Sequence, residues 1–200
     1  FFELETGVFS SALGMNPFYN IDQIPIIPKK RYSIMYPYME KTGSRGRDMM
    51  KRSATIQANL DYLGEEDFRK KFQASMFLSP LFSALIVNSP LAQGRFNGKL
   101  SNRIDAWHNT DPERCGLLEF IYLGDFSYSD YIDWAFKATN YFDFQKTEIA
   151  PDLNQNFGQY LENYADDDYK KIALDFETHL STLFPEVRAK NFLELRSFDL

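Results

Sequence analysis

Between Ser53 and Tyr62 the chain alternates almost without a break. Ala54, Ile56, Ala58, Leu60 and Tyr62 fall on one side of an extended strand, and Ser53, Thr55, Gln57, Asn59 and Asp61 fall on the other. The apolar side is predicted to face a core. The polar side is a row of hydroxyl, amide and carboxylate groups with no lysine among them. That is the chemistry of a face that can coordinate or hydrogen-bond, and equally the pattern of a solvated face in an antiparallel sheet. A second extended segment, Asn191 to Phe198, closes the chain and puts Phe192, Glu194, Arg196 and Phe198 on one side.

Helical spacing governs most of the rest. Lys30 to Met39 carries Tyr32, Met35, Tyr36 and Met39 on one face, with Pro37 interrupting its second half. Gly64 ends the first strand, and Glu65, Glu66 and Asp67 form an acidic first turn that suits the positive end of a helix dipole. Phe68, Phe72, Ser75, Met76 and Ser79 continue that helix, and Pro80 is expected to kink or divide it before the apolar run Leu81 to Val87. The spacing further predicts short helices over Ser101 to Trp107 and Ser129 to Lys137, and strands over Leu117 to Leu123 and Asn140 to Phe144. A clean amphipathic helix is predicted over Asp166 to Ser181, with Tyr169, Ile172, Ala173, Phe176 and Leu180 in phase. Val8 to Met15 reads as extended, Thr42 to Arg47 (TGSRGR) as a flexible basic turn, and Asn88 to Leu100 as a loop long enough to be functional. Runs of strand and helix in this order predict an α+β domain, an antiparallel sheet with flanking helices.

Composition narrows the chemistry. The 200 residues fit one domain, and the net charge of -6, with both signs mixed, offers no electrostatic footprint for nucleic acid or an anionic membrane. No apolar run approaches the length of a membrane span. One cysteine, Cys115, excludes an internal disulfide and a thiolate zinc site, and two histidines exclude a histidine-rich metal centre. Any metal would be a hard cation on oxygen ligands. The single thiol points to a reducing, cytoplasmic location; because the chain begins at Phe1, an upstream organelle-targeting segment is left open.

If the two alternating strands are neighbours in one sheet, Thr55, Gln57 and Asn59 would share a concave face with Glu194 and Arg196, a set that suits Mg²⁺ and phosphate oxygens. The same two charges would otherwise form an ordinary surface ion pair. Arg31, Arg103 and Arg114 each sit near an element end, where a guanidinium can clamp a carboxylate or remain a solvated surface charge. Tyr141 could close over a small substrate or pack in the core. His179, late on an amphipathic helix, is expected to cap or pack, and Asp48 receives no role.

Four separated blocks then agree in order with one family. KKRYSIMYPYMEKTGSRGRDMM, ATIQANLDY, NSPLAQGRFNGKLSNRIDAWHNTDPERCG and HLSTLFPEVRAKNFLELRS resemble the glutamate-cysteine ligase family of the plant and proteobacterial type. The resemblance implies a glutamine-synthetase-like catalytic domain, an antiparallel bowl with helices outside. Residues 1–200 would be a single catalytic domain, a fragment lacking its N-terminal portion and its C-terminal portion. The implied reaction uses ATP and Mg²⁺ to phosphorylate the γ-carboxylate of glutamate, after which the amine of cysteine displaces phosphate, the first step of glutathione synthesis. The partners are then small molecules: glutamate, cysteine and ATP. Two alternatives stay open: a sister ligase with another amine substrate, and a non-catalytic relative that only binds. The resemblance gives Glu194 and Gln57 as metal ligands, Asn59 as a nucleotide ligand, and Arg196 as the catalytic, phosphate-binding arginine. Arg31 and Arg103 become clamps for glutamate, Thr55 lies near the same substrate, and Tyr141 lies against cysteine. RSFD departs from the glycine-rich continuation common in the family after this block, and the disulfide control of plant members is not expected with Cys115 alone.

Overall fold

The computed structural model of the protein describes residues 2–9, 11–122, 124–144, 154–163 and 168–199. In chain order these contain helices α1 (Phe2–Thr6), α2 (Lys30–Thr42) and α3 (Gly46–Arg52), strand β1 (Ala58–Leu60), and the long helix α4 (Glu65–Leu85). A two-stranded hairpin, β2 (Leu91–Ala92) and β3 (Arg95–Phe96), leads to α5 (Asn102–His108) and β4 (Cys115–Gly116). After a 3-10 turn at Glu119–Tyr122 come α6 (Tyr128–Lys137), α7 (Phe157–Glu162) and α8 (Tyr169–Leu180). The chain closes with β5 (Phe184–Pro185), β6 (Val187–Ala189) and β7 (Leu193–Leu195).

The central sheet is antiparallel, in the order β1-β7-β6. Alternation sorts its faces. Leu193 and Leu195 of β7, Val187 of β6 and Ala58 of β1 pack on one side against Phe68, Phe72 and Met76 of α4, joined by Leu118, Ile121, Phe126 and Tyr131. The opposite side is polar and carries the candidate site. Helix α4 lies against the sheet because its apolar residues recur every three to four positions. Its start is fixed locally: Gly64 takes a φ of +91°, the Leu63 amide donates to the Asp67 carboxylate at 2.9 Å, and Lys70 and Lys71 pair with Glu66 and Asp67 one turn back. Side-chain caps begin the later helices: Ser101 accepts from the Ile104 amide, Ser127 and Asp130 form a capping box, and Asp168 accepts from the amides of Lys170 and Lys171.

Several expectations are corrected here. The strand predicted over Ser53 to Tyr62 pairs only from Ala58 to Leu60, and Ile56 is 60% exposed where a core position was expected. The reason is a wedge: the Arg103 guanidinium lies between the two chains, its Nε donating to the Ala54 carbonyl at 2.9 Å and an Nη to the Arg196 carbonyl at 3.0 Å. Pro80 does not divide α4, and Pro37 does not end α2; each lies inside a continuous helix whose buried face, Phe72 and Met76 in one case and Met35 and Met39 in the other, holds it in place. Leu117 to Leu123 holds a 3-10 turn rather than a strand, with Ile121 buried and Leu117 exposed; Leu123 lies outside the described residues. Asn140 to Phe144 is not a regular strand, because Tyr141 and Phe144 are buried in two different clusters. The predicted flexible turn TGSRGR instead runs into α3, which lies so close to α2 that a Cβ on Gly46 would come 2.6 Å from the Met39 Cβ. The start of the predicted Asp166 to Ser181 helix lies outside the described residues, and the remainder is α8.

Candidate functional site

The polar face of the central sheet is built by register. Asn59 of β1 sits opposite Glu194 of β7, and Glu194 sits opposite Arg188 of β6, so the three form one row across the sheet. Arg196 follows on the same side of β7, two residues on. Of the juxtaposition expected from the two alternating segments, the part made by Asn59, Glu194 and Arg196 is present, with Asn59 exposed and Glu194 and Arg196 buried. Gln57 is also exposed but lies before the paired part of β1.

Glu194 is the centre of charge. Its Oε2 accepts from Arg188 Nε at 2.9 Å and Arg196 Nη1 at 2.7 Å, with Arg188 Nη2 also at 2.7 Å, and its Oε1 accepts from Lys190 Nζ at 3.0 Å. Burial alone would raise its pKa; the hydrogen bonds from Lys190 and Arg196 and the charges of Arg188 and Arg196 outweigh that and hold the carboxyl at about 2. Arg196 is further framed by aromatic rings, its guanidinium carbon 5.2 Å from the Trp107 centroid and 5.8 Å from that of Phe184. Burial and the neighbouring Arg188 lower its pKa, against the pull of Glu194.

The other expected residues separate into distinct settings. Thr55 donates to the Phe198 carbonyl at 2.8 Å, tying the β1 run to the chain's last residues. Arg103, expected as a bidentate glutamate clamp, is buried with two of its three nitrogens on backbone carbonyls, and burial pushes its pKa down to about 10. Arg31, at the start of α2, is partly buried and reaches Ser181 at the end of α8, donating to its carbonyl at 3.3 Å and its hydroxyl at 3.4 Å. Tyr141 is 1% exposed, packed with Met35, Met39 and Met49 and lying 3.7 Å beneath the Arg114 guanidinium. Its ring is therefore packed, and its hydroxyl, like the Trp107 indole nitrogen in the same cluster, is buried without a hydrogen bond. Arg114 is a structural post: fully buried, it pairs with Asp111 at 2.9 Å and donates to Thr182 and the Thr139 carbonyl. His179 is packed as expected, its Nε2 donating to the Ala135 carbonyl at 2.8 Å.

A divalent cation on Glu194 and Gln57 does not fit this arrangement. Both oxygens of Glu194 are already engaged by cations, Gln57 stands outside the strand ladder, and no group of three or more acidic, histidine or cysteine side chains converges among the described residues. What the face offers is an excess of donors over acceptors, the chemistry of an anion site.

Sequence inspection missed two members of this site, Arg188 and Lys190, and one structural acid. In FPEVRAKN the alternation of Val187 and Ala189 with Arg188 and Lys190 was the available signal: two apolar residues inward, two cations outward. Asp48 pairs with Arg45 at 3.2 Å and Arg52 at 2.9 Å, and Arg52 in turn donates to the Asn16 carbonyl, fixing α3 to the N-terminal run.

Residues 4–200 match the family model described as glutamate-cysteine ligase family 2 (GCS2). A chloroplastic glutamate-cysteine ligase of Nicotiana tabacum is 39% identical over 198 residues, covering 98% of this chain and 38% of that protein. The chloroplastic enzyme of Arabidopsis thaliana is 39% identical over 197 residues, with the same coverage, and ligase B of Oryza sativa subsp. japonica is 37% identical over 197 residues, 40% of its length. The chain thus spans about two fifths of the relatives it matches. These relatives overturn the cytoplasmic location expected from the single thiol, since all three are chloroplastic. With the family model running across nearly every residue and the small antiparallel sheet where the four sequence blocks require it, the chain belongs to glutamate-cysteine ligase family 2.

Proposed function

We propose that the protein carrying this chain is an ATP-dependent ligase that joins the γ-carboxylate of glutamate to the amine of cysteine, working in a plastid as its chloroplastic relatives do. The observation that carries this is the cation-rich row on the polar face of the sheet, Asn59, Glu194 and Arg188 with Arg196 beside them, in a chain of this family. An oxygen of the γ-carboxylate attacks the terminal phosphorus of ATP, the bond to the bridging oxygen breaks, and ADP leaves with the pair of electrons. The cysteine amine then adds to the acyl phosphate carbon, loses its proton, and expels inorganic phosphate. Both steps concentrate negative charge on phosphate oxygens, and fixed cations in a buried setting stabilise that charge more than water does. Arg196, held by Glu194 and flanked by Trp107 and Phe184, is the residue assigned to the transferring phosphoryl group. Asn59, exposed in the same row, is assigned to the nucleotide.

Arg31 and Thr55 are assigned to the glutamate side of the site, and Tyr141 to the cysteine side through its unpaired hydroxyl. The divalent metal of the family, Mg²⁺ in this proposal, would draw its acidic ligands from outside the described residues. The full-length protein should release ADP only when glutamate and cysteine are both present. Equal or faster turnover with a different amine would replace cysteine in the proposal, and an absence of ADP release with every amine would leave only a binding role.

A further inference from the structure

The arrangement around Glu194 has a charge problem that a metal ligand would not explain. One carboxylate is in contact with three cations, Arg188, Lys190 and Arg196, on a face where Glu194 and Arg196 are less than a tenth exposed and Arg188 nearly so. Holding unneutralised positive charge in such a setting is unfavourable unless an anion shares the site. The donors also outnumber the acceptors. Arg196 uses only Nη1 on Glu194, and Lys190 uses one of its three ammonium protons there. Arg188 and Lys190 line a cleft of about 560 Å³ together with Leu180, Ser181, Ala189 and Asn191, and Arg31 is bonded to the Ser181 at its wall. Among the described residues Glu177 is the one carboxylate lining that cleft.

We infer that Glu194 is a positioning residue, not a metal ligand: it holds Arg188, Lys190 and Arg196 as one cationic array, and Arg188 and Lys190 bind the phosphate chain of the nucleoside triphosphate directly. The inference rests on the proposed ligase reading and extends it by two contact residues and a changed role for Glu194. A polyphosphate is favoured over a carboxylate because three clustered cations match a chain of several negative charges, whereas one guanidinium satisfies a carboxylate.

The test uses the full-length protein, with inorganic tripolyphosphate and ATP as separate probes, each titrated calorimetrically in EDTA and again with Mg²⁺. Lys190→Gln and Arg188→Gln should each weaken metal-free tripolyphosphate binding about tenfold or more, and should lower its salt dependence, while leaving glutamate binding unchanged. Arg188→Lys, which keeps the charge but not the fork, should fall between Arg188→Gln and the wild type. It also carries the test, with the half-exposed Lys190, if Arg188→Gln fails to fold, as judged by its melting transition. In Glu194→Gln the ratio of ATP affinities with and without Mg²⁺ should match that of the wild type. Loss of the Mg²⁺ enhancement in Glu194→Gln alone would restore the metal-ligand role and overturn the inference, as would unchanged tripolyphosphate binding in both Arg188 and Lys190 variants. Wild-type protein that binds neither probe under either condition would instead remove the ligase reading itself.

Discussion

Arg103 carries the clearest consequence for a single residue. A guanidinium whose Nε and Nη reach the carbonyls of Ala54 and Arg196 is a brace between the run before β1 and the run after β7. Arg103→Lys keeps the charge but can satisfy only one carbonyl well, so a buried acceptor is left unpaired. The expected loss is about 1–3 kcal/mol of folding stability, read from urea unfolding. Unchanged stability together with a raised glutamate requirement would return Arg103 to the substrate clamp. Cys115 is a second case. Burial, reinforced by the Asp111 carboxylate, pushes its thiol up to about 12, so it should resist iodoacetamide in the folded protein and react readily once unfolded. Fast native alkylation would contradict that environment. The sequence disclosed which residue types gather on the polar face, since Glu194 and Arg196 stand two apart on an alternating run. It could not disclose that Arg103 reaches the carbonyls of Ala54 and Arg196, because the direction of a long side chain is decided by which backbone carbonyls lie unpaired nearby.

At the scale of the element, helix α8 ties acid stability to one side chain. His179 near its end is fully buried, and desolvation lowers its pKa from the ordinary 6.5 to about 4. Below pH 6.5 the unfolded chain takes up a proton that the folded chain refuses. Stability is therefore complete above pH 6.5 and declines as pH falls toward 4, by up to about 3 kcal/mol. His179→Gln, whose amide can still donate to the Ala135 carbonyl, should flatten the urea midpoint across that window; a slope equal to the wild type would assign it to other groups. Glu194 acts lower, its contribution present above pH 4.5 and lost as pH drops through about 2. Helix α4 offers a complementary test, because Pro80 is exposed and interrupts the hydrogen bonding of a continuous helix. Pro80→Ala should stabilise the protein by about 1–3 kcal/mol in the same assay. Periodicity revealed α4, α6 and α8 because their apolar positions recur over two or more turns, and it placed the 7-residue α5 as well. It missed α3 and α7, of 7 and 6 residues, whose existence depends on tertiary contacts such as the Asp48 ion pairs and the burial of Phe157. It likewise overstated β1, since alternation continues in Ser53 to Gln57 after pairing has stopped.

Across the whole molecule, the RSFD run at residues 196–199 ties Gly14 to the loop that follows α4. Asp199 is fully buried, accepts from the Ser89 hydroxyl at 2.7 Å and the Asn88 amide at 2.9 Å, and lies against Gly14. A Cβ on Gly14 would fall 1.9 Å from the Asp199 Oδ1 and 2.8 Å from its carbonyl carbon. Nearby, Thr55 and Ser83 donate to the carbonyls of Phe198 and Ser197, so the last residues secure the β1 run, α4 and the loop after it at once. Those ties lie directly beyond Arg196 and fix the end of β7 that presents it to the polar face. Gly14→Ala is expected to cost about 1–3 kcal/mol, since neither the side chain nor the backbone of Asp199 can retreat without breaking a tie. Asp199→Ala should cost a similar amount by leaving Ser89 and the Asn88 amide unpaired. In the double variant the side-chain clash is gone and only the backbone approach remains, so the two losses should fall short of additivity by about 1 kcal/mol in a double-mutant cycle of urea unfolding. Strict additivity would mean that Gly14 and Asp199 do not press on one another, and the fixing of the run beyond β7 would need another cause.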